Sequence, residues 1–159
     1  MKSLDMNLSK NPMEIHRDYT RPIIVATTFT LFGELALLLY YGVYLIDEGS
    51  LLLKIVWTLG FCGLGMGMSL GAVIDLLLVN RVSVKTGIWM TALLSTLGLG
   101  LACNWLCLNL DKHFRFFGGA ENVYLHFVPS FIGAAIGGWI VGWFLFSSNG
   151  RQLLDRIGI

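Results

Sequence analysis

Four long apolar stretches, each closed by a polar cluster, divide the chain at residues 23–46, 55–79, 87–110 and 126–147. A hydrocarbon layer about 30 Å thick is crossed by about 20 helical residues, so each stretch predicts one membrane-spanning helix. The pattern reads as an all-α integral membrane protein, a four-helix transmembrane bundle. The connections are short: Asp47-Glu48-Gly49-Ser50, the basic loop at 80–86, and the stretch 111–125. None is long enough to bury a core of its own.

Residues 1–22 read as a polar N-terminal tail, broken at Asn11-Pro12, with Met13, Ile15 and Tyr19 suited to a short surface helix. Because these residues are polar, the first apolar stretch is expected to serve as an uncleaved anchor. Pro129 sits in the first turn of the fourth span, where a missing N–H does no harm. Asn149-Gly150 is expected to end that span, leaving 148–159 as a short amphipathic tail.

Composition supports the membrane reading. Only 13% of residues are charged and 55% are hydrophobic, against about a quarter charged in soluble domains. Cations decide the orientation. Lys2, Lys10, Arg17, Arg21, Arg81, Lys85, Arg151 and Arg156 would flank one side, and Lys54, Lys112 and Arg115 the other. Positive charge gathers on the cytoplasmic side, so both termini are expected there, or in the matrix or stroma of an organelle. The membrane would be a bacterial plasma membrane or an organelle inner or thylakoid membrane. No basic run suits nucleic acid. Tyr40, Tyr41 and Tyr44 mark the far interface, and Phe114, Phe116, Phe117 and Tyr124 suit a loop lying on headgroups.

Small residues come next. Gly63, Gly67 and Gly71 recur every fourth position along the second span, with Asp75 as the next rung. The fourth span carries the same spacing twice, at Gly133/Gly137 and Gly138/Gly142. Such rows share a helix ridge, and in lipid they let helix backbones pack closely. All seven glycines are therefore expected at helix–helix contacts.

Two acids fall within spans. Glu34, near the middle of the first, would lie about 16 Å from the cytoplasmic edge at 1.5 Å per residue. A carboxylate there must be protonated, paired or facing water, which suits either a proton or cation site or a structural hydrogen bond. Asp75 lies shallower and could approach Glu34 if the first two spans pack along the glycines. Cys62, Cys103, Cys107 and His126 form a second set, with Cys103 and Cys107 on one helix face. No close Cys-x-x-Cys pair supports a metal centre, and buried cysteine is ordinary packing. His126 could ligate the magnesium of a chlorophyll or the iron of a haem, or simply cap the fourth helix. Trp139 and Trp143 share a face deeper in that span, suited to lipid, pigment or another subunit.

GLGMGMSLGAVID resembles the glycine-rich helix of rotary ATP synthase proteolipids, and LFGELALLLYYG resembles their acid-bearing helix, over about 25 residues. The order of the two is reversed relative to that family, and no function is taken from the likeness.

No catalytic triad, phosphate loop or nucleotide fingerprint is present in the sequence. The leading expectation is a non-catalytic accessory, structural or assembly subunit of a larger membrane complex, respiratory or photosynthetic, with lipids and other membrane subunits as partners. The competing expectation is a small proton- or cation-coupled transporter or channel using Glu34, with Asp75 as a second acid.

Overall fold

The structure, a computed structural model, describes residues 12–40, 52, 55–105, 109 and 123–159, and contains no strand among them. Helix α1 spans Pro12–Tyr40. Helix α2 spans Val56–Leu77, wound as a π-helix over Val56–Gly65 and as an α-helix over Met66–Leu77. Helix α3 runs over Val84–Ser95 and continues π-wound through Thr96–Cys103. Helices α4, Val123–Phe146, and α5, Ser148–Ile157, complete the fold. Thr20–Leu39 of α1, the whole of α2, and Val84–Ala102 of α3 are long and apolar enough to cross a membrane; α4 with α5 makes a fourth such unit if the bent pair is taken together.

The described part of α1 already begins eleven residues before the expected span at 23, and takes in Met13, Ile15 and Tyr19 without a break. The helix continues through Pro22, which withholds one backbone donor. The end of the first predicted span, the turn at 47–50, Cys107 and the loop at 111–122 lie outside the described residues.

The π-wound segments were not legible from spacing. Both are glycine-rich, with Gly60, Gly63 and Gly65 in one and Gly98 and Gly100 in the other. Extended π-winding is rare because its wider turn packs poorly about the axis.

A tight turn joins α2 to α3. Asn80 takes the left-handed conformation at φ 61°, which asparagine tolerates better than most residues. The Arg81 N–H donates to the Leu78 carbonyl at 3.1 Å. Ser83 then caps α3, its hydroxyl accepting from the Thr86 N–H at 3.3 Å.

The C-terminal residues form no tail. After Phe146 the chain bends by 82° into α5. Ser147 is extended and caps the new helix, its hydroxyl accepting from the Gly150 N–H at 2.9 Å. Asn149-Gly150 therefore opens a helix instead of closing one. The Arg151 guanidinium donates back to the Phe146 carbonyl at 2.9 Å, satisfying a carbonyl left open at the end of α4. Gly150 is required here, since a Cβ would lie 2.5 Å from the Trp143 carbonyl oxygen. Gly158, at φ 84°, ends α5, with the Ile159 N–H returning to the Leu154 carbonyl at 3.1 Å.

The helices pack as two antiparallel hairpins, α1 with α2 and α3 with α4. The hairpins meet at the end that carries α5. There Val25, Ala26, Ile74 and Leu78 bury against Val141, Leu145, Phe146 and Leu154. Phe29 and Phe144 bring their rings to 5.4 Å across the junction. The Arg21 guanidinium donates to Asp155 Oδ1 at 2.6 Å, tying α1 to α5. Elsewhere the surface is apolar: Phe32, Leu76 and Trp89 are each more than 60% exposed. A protein with so small a buried core and so much exposed apolar area matches a hydrocarbon surrounding.

Candidate functional site: an acid-bearing cavity between the hairpins

Both hairpins close on glycine. A Cβ at Gly67 would lie 2.8 Å from the Thr27 Cα, and one at Gly71 would lie 2.8 Å from the Pro22 carbonyl oxygen and overlap Ile23. At Gly63 it would meet Leu31 at 2.7 Å. In the second hairpin, Gly138 abuts Ser95 and Ala92, and a Cβ at Gly142 would lie 2.9 Å from the Ile88 Cα. Ser95 reinforces that seam, its hydroxyl donating to the Ala134 carbonyl at 2.8 Å.

Gly133 and Gly137 behave differently. A Cβ at either would meet nothing within 4 Å, and the same holds for Gly33 on α1. These two α4 glycines, expected at a helix contact, pack on no described helix of this chain. They lie beside Gly138 and Gly142 in sequence but on a neighbouring ridge, and their ridge turns toward α1. Gly60 and Gly98 are likewise open, but Gly33, Gly133 and Gly137 together line one cavity of about 260 Å³ between the hairpins. One water needs only about 10–15 Å³ measured this way, so the space admits a chemical group of some size. Gly33, Ala36 and Gly133 are exposed, so the cavity opens at the surface between α1 and α4.

Glu34 lines the same cavity, together with Ser130 of α4 and Thr30 of α1. The Thr30 hydroxyl donates to the Ala26 carbonyl at 2.8 Å, four residues back along its own helix, and lies against Gly67 of α2. The Ser95 hydroxyl is committed in the same way to Ala134. What the arrangement offers is one acid side chain at mid-helix depth, in a cavity walled mainly by glycine and apolar side chains. That chemistry suits a proton, a cation or a hydrogen-bond donor carried by an apolar partner.

Asp75 takes no part. Gly63, Gly67 and Gly71 meet α1 near positions 31, 27 and 23, which sets a strict antiparallel register. Carried on by one rung, that register places Asp75 level with position 19, about 22 Å along α1 from Glu34 at 1.5 Å per residue. The glycine contact, the expected route for bringing the two acids together, is what separates them. Asp75 is partly buried near the α5 end.

Cys62 is buried in the π-wound part of α2. The side chains of Cys103 and His126, and all of Cys107, lie outside the described residues, so the metal and pigment readings find no geometry here. Among the described residues no three His, Cys, Asp or Glu side chains converge. Trp139 is half exposed and, with Trp89 and Ile136, borders a shallow apolar depression between α3 and α4. Trp143 instead sets its ring edge-on against Phe144, with centroids 5.1 Å apart.

No protein-family model, curated protein or solved structure matches this chain.

The cavity itself was beyond sequence reasoning, although Gly33 directly before Glu34 was a signal for it. A glycine beside an acid in a long apolar helix leaves space at the same level.

Proposed function

We propose that the chain is a four-span membrane protein with both termini on the cytoplasmic side, or its matrix or stromal equivalent, acting as a non-catalytic subunit of a larger membrane complex. The observation that carries this reading is the open groove between α1 and α4. Gly33, Gly133 and Gly137 line it unfilled, whereas Gly63, Gly67, Gly71, Gly138 and Gly142 are closed on a neighbouring helix. Helix association in lipid relies on close packing at small residues. A chain that leaves such residues unfilled on an outward-facing side has a surface suited to another membrane component. In α4, 24 residues give about 36 Å of helix, enough to cross unaided, and the bend at Ser147 then turns α5 along the surface.

Mild-detergent extraction followed by native electrophoresis and mass spectrometry tests the proposal. A subunit migrates in one defined complex with other membrane proteins. Migration as the bare chain or as copies of itself alone contradicts the reading.

One observation favours a second reading. Glu34 lines the groove, so the same space would serve a small proton or cation pathway. Asp75 is no part of that pathway, and Glu34 would act alone. Flux driven by a pH gradient in vesicles holding the purified chain would support it.

A further inference from the structure

We infer that α5 is an interfacial helix that seats the bundle on anionic lipid headgroups. The inference rests on the membrane reading above and adds a lipid-binding surface to it. The bend of 82° sets α5 nearly perpendicular to α4, so a crossing α4 lays α5 along the membrane plane. Two contacts at the corner hold that angle: Arg151 bonded to the Phe146 carbonyl, and the Ser147 hydroxyl accepting from the Gly150 N–H.

With α5 so placed, its faces sort by chemistry. Gly150 and Leu154 are buried against the bundle. At 100° per residue, Leu153 and Ile157 lie beside that buried stripe, yet they are 41% and 64% exposed. Arg156 stands next to them around the helix and is exposed. An apolar stripe edged by a cation is the pattern of a helix buried shallowly among headgroups. The charge balance points to anionic lipid. Asp155 already spends its charge on Arg21. At the same end of the bundle, Arg81 of the α2–α3 turn and Lys85 in the first turn of α3 are exposed. Basic residues clustered at a membrane surface favour anionic headgroups.

Nitroxide labels on the full chain test this, placed singly as I157C, Q152C and L97C on a C62S, C103S, C107S background. Accessibility to oxygen and to a water-soluble nickel complex is read in phosphatidylcholine vesicles and in vesicles that also contain phosphatidylglycerol. Leu97, exposed on α3 away from α5, reports whether the bundle is inserted at all. The expected result is oxygen access at positions 97 and 157 and nickel access at 152, on the opposite face. Position 157 should move deeper when phosphatidylglycerol is present, and R156Q should abolish that shift. Nickel access at 157 with oxygen access at 97 overturns the inference while the membrane reading stands, as does a depth indifferent to phosphatidylglycerol. Exclusion of both reagents at 157 would mean that protein covers the stripe, and overturns it too. Nickel access at 97 overturns the membrane reading and the inference together.

Discussion

Gly71 of α2 lies directly against the backbone of α1 at Ile23, so closely that a Cβ would be 2.9 Å from the Ile23 nitrogen. Backbone cannot step aside as a flexible side chain can. Gly71→Leu and Gly67→Leu should therefore force α1 and α2 apart, at a cost of about 1–3 kcal/mol or more. Leu77→Phe, at a position 49% exposed, should change little. Thermal unfolding in detergent measures all three, and equal stability of the glycine variants would remove the seam from the account.

The corner between α4 and α5 gives a second prediction. Ser147→Ala removes the cap on α5 and should cost about 1 kcal/mol. Gly150→Val should cost more, because its side chain would be driven into the Trp143 carbonyl. Hydrogen exchange should show α5 amides losing protection in both variants while those of α2 hold. The Arg21–Asp155 contact should add little to this, since Asp155 is 60% exposed on its side chain. A double-mutant cycle should return about 0.2–1 kcal/mol.

Topology is tested by reporter fusions. A reporter after Ile159 and one within residues 80–86 should read cytoplasmic, and one within 112–122 should read external. An external C-terminus would contradict four spans.

Glu34 separates the two functional readings. For a subunit, Glu34→Gln keeps the shape and much of the hydrogen bonding, and assembly should survive. Glu34→Leu should weaken assembly by about 0.6–2 kcal/mol, the range for bonds between membrane helices. For an ion pathway, Glu34→Gln should abolish pH-driven flux and leave the protein folded.

Much of the fold was legible because an apolar run longer than 20 residues has few other uses. The spans expected at 55–79 and 126–147 differ from α2 and α4 by only one to three residues at each end. What spacing could not supply was which side of a helix faces which neighbour. Gly133/Gly137 and Gly138/Gly142 are the same motif in sequence; one pair closes on α3 and the other stands open, a distinction set by the placing of α1. The separation of Glu34 from Asp75 depends on register, which follows from where Gly71 meets Ile23. Helix α5 was missed because Asn149-Gly150 reads as a stop, whereas Ser147 one turn earlier makes it a start.

The most direct test of the account fills the groove without touching a seam. Gly133→Leu places a side chain where a Cβ meets nothing within 4 Å, so the chain should fold, insert and unfold at the wild-type temperature. The account predicts that this protein accumulates yet is lost from its complex on native electrophoresis. A Gly133→Leu chain that still assembles fully would show that the open face between α1 and α4 receives no partner, and would contradict the proposed function.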